Sequence, residues 1–594
     1  MNATTRTADF VGTYSFKSIS DFLTNQPSRV RGALPSVLTP RYMRTSIFGA
    51  YLQDDWRVRP NLTLNLGVRY EMSTGITEAK GKLSNLAPIN AATVVSGVST
   101  PAPRLGAPYF SNPTLHNFEP RVGFSWDPFK TGKTAVRGGI GLFDVLPLLY
   151  TTITLNGRAA PFFQIVSTSN AAVLKGKFPS QGQAAILAQP AKPTLEFGAI
   201  ESQPKRDYVT QWNFNIQREV VRDLTVVLGY VGSHGVHQLF RIDDGNIVLP
   251  AATSAGYLWP CGPDGKGNPC VVGFLPTGTQ ASPVKSASVN PGAGAIRLVD
   301  WGGSSSYQAL QVGVVKKISH GVQIQGSFTW GKSMDNNSGS IAGDTLSNSI
   351  TSLYWFDLSQ SRAVSDYNIG RVLVINGSWQ IPGSKSENPL LAHLTNGWQI
   401  GGILKVHDGL PLTPTFGSGG DPLGENSSDP FDFPNRVSGP GCDTAVNSRN
   451  PNNYINTKCF ALPTAPVSLA AQCMPIGFVA HDMTKTPDPF NPGIAGTCSN
   501  LRGNVGRNIL RGPGLINLDT SLFKNNYIRK ISETFNAQIR FEVFNILNHA
   551  NFQLPPLTND NIFLAAGGLD PNGGVITSTV TTSRQLQLAL KLVW

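Results

Sequence analysis

The sequence predicts an all-β protein: a transmembrane antiparallel β-barrel with long extracellular loops. Apolar residues recur at every second position in many segments, and the positions between them carry mainly amides, hydroxyls and glycine. The connections between these segments alternate between short and long. The chain also holds 61 glycines and 43 prolines in 594 residues. Because both residue types interrupt helices, a mainly helical fold is excluded.

The alternation is clearest in residues 62–70. Every even position there is apolar or aromatic, whereas the odd positions hold threonine, asparagine, glycine and arginine. The same pattern recurs in residues 208–218 and 322–330. A soluble β-sandwich also alternates, but its exposed face carries abundant charge. Because only 14% of the residues are charged, the pattern favours a barrel whose apolar face meets lipid and whose polar face lines a wet interior.

We place about 14 strands along the chain. Their approximate bounds are residues 10–18, 46–58, 62–72, 118–127, 134–143, 208–219, 224–234, 306–317, 322–332, 366–381, 396–408, 514–523, 536–546 and 584–594. The long connections are residues 73–117, 144–207, 241–305, 333–365, 409–513 and 547–583. A barrel whose ends face two compartments has short turns at one end and long loops at the other. Residues 1–594 are therefore predicted to form one barrel domain.

Composition argues against two other classes, helical membrane proteins and nucleic-acid-binding proteins. No segment has the roughly 18 to 20 consecutive apolar residues that a membrane-spanning helix needs. The net charge is +12, but lysine and arginine are scattered along the chain instead of clustered on one segment. We therefore predict no binding to nucleic acid.

The six cysteines all lie in connecting segments, and no two of them have C-x-x-C spacing. This arrangement favours disulfides in an oxidising compartment over metal ligation. Six cysteines allow fifteen pairings, so the sequence alone leaves the connectivity open. The expected local pairs, each within one long loop, are Cys261 with Cys270, Cys442 with Cys459, and Cys473 with Cys498.

Motifs typical of enzymes and cofactor sites are weak. Residues 131–134 (Thr-Gly-Lys-Thr) resemble the end of a phosphate-binding loop, but Asp127 stands where that loop has a glycine. His234 and His237 are three residues apart on a predicted strand, which places them on opposite faces and argues against a shared metal. We predict no enzymatic activity, no cofactor and no metal.

Several segments resemble TonB-dependent outer-membrane receptors, particularly the Oar-like branch. The segments that carry the resemblance are SIFGAYLQDDWRVRPNLTLNLGVRYE from Ser46, NFEPRVGFSWDPF from Asn117, SSYQALQVGVVKK from Ser305, SDYNIGRVLVINGSWQIP from Ser365, NGWQIGGILKVHDGLPLT from Asn396 and FEVFNILNHANF from Phe541. The resemblance implies location in the cell outer membrane, in contact with its lipid. It also implies a barrel of about 22 strands, filled by an N-terminal plug. Such receptors import a ligand with energy passed on by TonB.

The chain departs from that family at its start. No plug, TonB box or regulatory-like domain fits before residue 10, and the first residues lack a secretion leader. About eight of the 22 family strands are also missing from our count. We expect the C-terminal part of a receptor barrel, with an incompletely closed or narrow sheet, no compact plug and poorly ordered loops. TonB would act only through a plug outside this chain.

Charged residues on the polar strand face are the candidate binding residues. They are Arg69, Arg121, Arg137, Lys405, Arg540, Glu542 and Lys591. Either they contact a plug or ligand, or they hydrogen-bond to one another across the wet interior. The last strand ends on Trp594, and we expect the outer-membrane assembly machinery to recognise this strand.

The sequence leaves two main functions open. The first is a transport receptor that captures an unidentified ligand in its long loops and passes it through the barrel. The second is a structural or adhesive surface barrel that binds matrix or polysaccharide without transport. A soluble secreted β-protein is a third and weaker hypothesis. An upstream plug with a TonB box would support the first function.

Overall fold

The structure is a computed structural model. It describes residues 2–5, 13–33, 40–147, 149, 159–187, 195–242, 245–246, 251–253, 256–260, 289–290, 292–293, 296–339, 357–384, 387–416, 433–461, 497–499, 504–528, 530–556, 560–564 and 568–594.

Thirteen strands, each antiparallel to the next along the chain, form the main path of one large sheet. They are β1 (Ile47–Arg59), β2 (Leu62–Ser73), β3 (Phe118–Trp126), β4 (Thr134–Asp144), β5 (Tyr208–Val221), β6 (Leu224–Ile242), β7 (Ile296–Ser319), β8 (Val322–Asp335), β9 (Arg371–Gln380), β10 (Trp398–His407), β11 (Leu515–Tyr527), β12 (Asn536–Phe544) and β13 (Gln585–Val593). The structure thus confirms the all-β class and every predicted strand from the second onward.

Shorter elements occupy the connections. The short strands are Asn2–Thr5, Thr13–Ser15, Arg29–Ala33, Arg41–Arg44, Thr77–Glu78, Ser84–Asn85, Ala92–Val95, Val98–Pro101, Arg104–Leu105, Ile165–Thr168, Phe197–Ile200, Ala251–Thr253, Gly256–Pro260, Ala363–Val364, Pro411–Leu412, Thr415–Phe416, Asn435–Arg436, Phe460–Ala461, Thr497–Ser499, Leu510–Arg511 and Asn561–Phe563. The helices are Ile19–Leu23, Ala171–Leu174, Gly182–Leu187 and Pro389–Thr395, with 3-10 turns at Pro451–Asn453 and Thr457–Cys459. Among the helices the structure describes, none has the length and apolarity that crossing a membrane requires.

The register gives the sheet one apolar and one polar face. One row of directly opposed residues crosses ten consecutive strands, β2 to β11, and every member is apolar. The row is Leu62, Trp126, Val136, Ile216, Leu228, Val312, Phe328, Leu373, Val406 and Ile516. We call the face that carries this row the outer face. The row begins at the first residue of β2 and ends near the start of β11, so neighbouring strands are staggered, as in tilted barrel strands.

The opposite side of the sheet, called the inner face here, is polar or glycine from β1 to β8 in the parallel row one residue away. That row contains Arg57, Thr63, Ser125, Arg137, Asn215, Gly229, Gln311 and Thr329. Because successive strand residues point to opposite faces, a shift of one residue in any strand would exchange the two rows. From β2 to β8 the sheet therefore has one apolar and one polar side, as a wall between lipid and water requires.

Short and long connections alternate as predicted. The turns after β1, β5 and β7 have two residues each, whereas residues 74–117 and 408–514 form two of the long loops. In the β7–β8 turn, His320 and Gly321 both have positive φ, 51° and 78°. Two residues of this conformation make the hairpin turn whose twist matches that of the flanking strands.

The described parts of the long loops pack on one another, so the expectation of poorly ordered loops was wrong for them. One buried cluster joins loop residues such as Tyr109 and Phe110 to Trp301 in β7. Another joins Leu412, Phe433, Tyr454 and Ile562. The loops contain enough aromatic and aliphatic residues to bury cores of their own, which the strand-based analysis did not consider.

The strand predicted at residues 10–18 was wrong. Residues 10–12 lie outside the described residues, and Thr13–Ser15 pairs with Arg29–Ala33 in a small separate sheet. The ring of Tyr14 packs edge-on against Phe178 at 5.2 Å between centroids. This aromatic contact within the loops, and not the barrel sheet, therefore holds the segment. Within the described residues, β1 and β13 each have a strand partner on one side only.

Two predicted strands were also too short. β6 and β7 continue well beyond residues 234 and 306 toward the long-loop end. Register shifts between Val236 and Gln238, and again between Gln238 and Phe240, break the period-two pattern there. Loop residues bury Phe240 and Leu298, so the extension no longer has one lipid-facing side and alternation cannot reveal it.

The two faces predict different free-energy costs for a charge introduced in the middle of β10. Leu404 lies on the outer face between Ile375 and Leu518. Leu404→Arg should lower the free energy of unfolding by about 2 to 4 kcal/mol if the position lies near the bilayer midplane, because lipid cannot solvate the guanidinium. Urea unfolding in lipid vesicles would measure it.

Ile403→Arg is the matched control, since this neighbouring residue lies on the inner face opposite Asn376 and Asp519. Water and the Asp519 carboxylate can solvate an arginine there, so the cost should be much smaller. Equal costs for the two variants would contradict the assignment of the faces.

Candidate ligand-binding face

The inner face of strands β1 to β5 lines a cavity of about 590 Å³. Among its lining residues are Tyr51, Arg69, Arg121, Phe143, Gln211 and Asn213. All six alternate with outer-face residues in their strands, as the register requires. Gln53 and Asn65 also line it, so the cavity combines two guanidinium groups, four amide side chains and two aromatic rings, the groups that orient small polar ligands.

Glycines form the floor of this cavity. Gly123 lies opposite Gly139, and Gly141 lies opposite Arg121. A Cβ atom on Gly141 would lie 3.1 Å from both Arg121 Cγ and Phe143 Cε2. The missing side chain therefore allows the Arg121 guanidinium to lie over the Phe143 ring, 4.4 Å from its centroid.

The predicted inner-face charges bond mainly to their neighbours in the sheet. Arg121 pairs with Glu119, and Arg69 Nε donates to Glu71 Oε1 over 2.8 Å. Arg137 donates to Gln217 over 3.1 Å. These contacts support the structural interpretation of the charges, in which neighbouring polar groups satisfy them within the wet interior.

The remaining predicted charges lie elsewhere on the same face. Arg540 donates to Gln538 and lies 5.1 Å from the centroid of Phe523. Lys405 and Lys591 are exposed, and Glu542 is half-buried. The structure therefore brings only Arg69 and Arg121, of the seven predicted residues, to the cavity of β1 to β5.

Trp594 lies at the short-turn end of the barrel. It is 76% exposed, and its ring packs against Phe535 at 5.3 Å between centroids. Phe535 belongs to the turn between β11 and β12 and is buried. The terminal aromatic therefore covers the adjacent turn and leaves most of its ring exposed.

A fully buried ionic cluster joins the longest loop to β8, and sequence reasoning missed it. Arg507 and Asp335 are each 1% exposed and form an ion pair, and Arg507 also donates to the Asp335 carbonyl over 2.9 Å. Asp366 accepts from Asn508 over 2.6 Å, and burial raises the pKa of its carboxyl to about 6. These residues are far apart in sequence, so no local spacing could have indicated the cluster.

Two further carboxyl groups lie among the loops near β6 and β7, the half-buried Glu201 and the buried Asp207. Burial, followed by a hydrogen bond and charge from Asp300, raises the pKa of Glu201 to about 7. The backbone N–H of Trp301 donates to Glu201 over 3.2 Å. Burial likewise raises the pKa of Asp207 to about 7. The loop layer therefore contains groups that change charge near neutral pH.

Cys442 and Cys459 form a disulfide, with an S–S distance of 2.06 Å. Both residues belong to the buried loop cluster around Tyr454 and Ile562. Cys261, Cys270 and Cys473 lie outside the described residues. The backbone of Cys498 lies in the short strand Thr497–Ser499, which pairs with Gly256–Pro260.

The weak motifs have structural roles. The Asp127 carboxylate accepts from the N–H groups of Phe129 and Gly132, which holds the β3–β4 turn that contains the Thr-Gly-Lys-Thr sequence. His234 and His237 each bond through Nδ1 to a backbone carbonyl, those of Ser305 and Arg206. Among the described residues no three His, Cys, Asp or Glu side chains are grouped to hold a metal.

The sequence matches the family model described as outer membrane beta barrel domain over residues 1–587. The chain belongs to this family. Its fold and its location in the outer membrane follow from that membership and from the two-faced sheet. No curated protein has a significantly similar sequence.

Solved structures similar to this outer-membrane barrel include two transporters and one receptor. The outer membrane transporter YddB from Escherichia coli is 11% identical, with a TM-score of 0.40, over 95% of this chain and 49% of that one. The ferripyoverdine receptor of Pseudomonas aeruginosa is 10% identical, with a TM-score of 0.37, over 93% and 39%. The FrpB iron transporter from Neisseria meningitidis is 10% identical, with a TM-score of 0.31, over 95% and 58%. The chain spans between 39% and 58% of the length of these proteins.

Removing Arg507 should weaken the attachment of the longest loop to β8. Arg507→Ala leaves the buried Asp335 carboxylate without its counterion, which costs roughly 3 to 5 kcal/mol. Hydrogen exchange of peptides covering residues 333–338 and 504–511 would show the loss of protection. Arg222→Ala is the control, because the Arg222 side chain is 95% exposed and its ion pair is worth little. Unchanged protection in Arg507→Ala would refute the role of the cluster.

The pairing of Glu201 with Asp300 predicts that the stability of the loop layer depends on pH. The folded pKa of about 7 exceeds the usual 4.5, so the folded state binds the extra proton between these values. This stabilisation is present below pH 4.5 and is lost as pH rises to about 7. Protection of peptides near residues 199–201 and 299–301, corrected for intrinsic exchange, should fall from pH 5 to pH 8.

Glu201→Gln should remove this fall, because glutamine stays neutral and retains a hydrogen bond to Asp300. Peptides near Asp207 should keep their own pH dependence in the variant and serve as the internal control. A fall of equal size near Glu201 in both proteins would contradict the assignment.

Proposed function

We propose that this barrel is the membrane-spanning part of a TonB-dependent receptor that carries a ligand across the outer membrane. The observation that carries the proposal is the glycine-floored cavity on the inner face, where Arg69, Arg121 and Phe143 meet four amide side chains. The sequence resemblance to Oar-like receptors supports the same function. The ligand is unidentified.

The long loops and the inner face of the barrel would perform different steps of this function. The packed long loops present a shaped surface at one end, suited to capture of a ligand from outside the cell. The polar inner face then offers hydrogen-bonding groups along the path through the membrane. Energy would reach the receptor from TonB through a plug domain, the arrangement that the resemblance implies. The proposed action is binding and passage, with no covalent chemistry.

The outer surfaces suit the expected partners. The apolar row on the outer face suits contact with outer-membrane lipid. The exposed Trp594 at the end of β13 suits recognition by the assembly machinery during insertion.

A structural or adhesive barrel is the second candidate. The loop cluster held by the Cys442–Cys459 disulfide favours it, because a rigid external platform can bind a matrix or polysaccharide without transport. Deletion of the gene in the native host separates the two functions. Loss of protonophore-sensitive uptake of iron-loaded siderophores or labelled oligosaccharides supports transport. Intact uptake of all these probes with lost adhesion to polysaccharide supports the adhesive function.

Filling the inner-face cavity should block transport without affecting the fold. The Cβ position of Gly123 has only ordinary contacts, the nearest 3.4 Å away at Gly138 O. Gly123→Leu should therefore insert into the cavity and lower uptake of whichever probe is transported by about tenfold, equivalent to about 1.4 kcal/mol.

Gly326→Leu is the matched control, since Gly326 lies on the outer face between Val314 and Ile375. Its Cβ position is 3.9 Å from the nearest atom, Ile375 Cγ1, so leucine there should contact lipid and leave uptake unchanged. Equal uptake by both variants and the parent would contradict passage along this face.

A further inference from the structure

A second cavity, of about 920 Å³, lies at the long-loop end of strands β8 to β11. Its floor includes Phe328, Leu373, Val406 and Ile516. These four residues are consecutive members of the apolar row on the outer face. The cavity therefore opens toward the membrane and not toward the interior of the barrel.

Cationic side chains form the upper rim of this cavity. The Arg371 guanidinium holds the Asp408 carboxylate with two hydrogen bonds, of 3.0 and 2.9 Å. Arg511 lies 3.9 Å from the same carboxylate, and the exposed Arg449 also lines the cavity. Arg371 and Arg511 thus share the Asp408 carboxylate. Together with Arg449, which lines the cavity without a recorded contact to Asp408, they leave the rim net positive.

The Asp408 carboxyl is ionised at neutral pH. Partial burial opposes its ionisation, but the hydrogen bonds and charge of Arg371, together with Arg511, lower the pKa of its carboxyl below the usual value. Because Asp408 can neutralise only one of the three arginines, the rim retains capacity for a further anion. Arg449 and the half-exposed Arg511 are the arginines least occupied by this carboxylate.

Along the strands toward the long-loop end, these groups follow one another in the order of acyl chains and head groups at a membrane surface. Arg371 is the first residue of β9, and Asp408 follows the last residue of β10. They lie directly beyond the opposed pair Leu373 and Val406. Trp330, opposite Arg371 in the sheet, is 62% exposed. An exposed aromatic beside an ion pair, above an apolar strip, is typical of the boundary between acyl chains and head groups.

We propose that this cavity binds a phosphate-bearing lipid of the outer leaflet. The acyl chains would lie on Phe328, Leu373 and Val406, and the phosphate would meet Arg449 and Arg511. Guanidinium groups bind phosphate through paired hydrogen bonds. A lipid suits the site because the floor is reached from the hydrocarbon, whereas the rim is reached from the head-group layer. The loop residues Ser448 and Tyr454, which also line the cavity, would cover the head group.

The test is titration of the detergent-purified barrel with lipids, followed by native mass spectrometry. The probes are phosphatidylglycerol, phosphatidylcholine with the same acyl chains, and inorganic phosphate. We expect one phosphatidylglycerol to bind at least about tenfold more tightly than phosphatidylcholine. Arg449→Gln, a change on an exposed loop residue, should remove most of that preference, and Arg371→Gln should do the same. Arg222→Gln, at the short-turn end, should retain it.

Three outcomes would overturn the proposal: equal binding of the two lipids, an unchanged preference in both Arg449→Gln and Arg371→Gln, or displacement of the lipid by inorganic phosphate at similar concentration. The last result would identify a soluble anion site. The uptake and adhesion assays do not depend on this lipid, so failure here leaves the proposed transport function separately testable.

Discussion

Backbone groups inside a membrane must pair with one another, because hydrocarbon offers them no hydrogen bonds. Every strand of the sheet is therefore tied to its neighbour through continuous registers such as those joining β2, β3 and β4. Once the register is set, the side chains of each strand are divided between lipid and interior. The apolar row, the polar inner face and both cavities described above all depend on that single geometric condition.

This condition also explains how much of the fold could be predicted from the sequence. A strand with lipid on one face and water on the other must alternate, so β2, β5 and β8 were evident from residues alone. The extended ends of β6 and β7 were missed because loop clusters bury Phe240 and Leu298, and alternation disappears where both faces are covered. The segment around Tyr14 was mistaken for a barrel strand because a local aromatic cluster also produces alternating rings.

The candidate site was only partly predictable for a related reason. The alternation of side chains along each strand was enough to place Arg69 and Arg121 on the inner face. It gave no indication that Arg121 stacks on Phe143 or that Gly141 makes room for this contact. The contact of Arg507 with Asp335 and the rim of Arg371, Asp408 and Arg511 required the packing of loops on strands distant in sequence. Pairwise tertiary contacts of this kind leave no periodic signal.

The buried pair of Arg507 and Asp335 also bears on how the chain folds. Its partners are 172 residues apart in the chain, and contacts between distant residues cost loop-closure entropy and slow folding. Strands β9 and β10 lie between them in sequence, so forming the pair closes a loop that contains both strands. The docking of the longest loop on β8 therefore fastens two parts of the chain that flank two strands of the sheet, and it carries the entropic cost of closing that long loop.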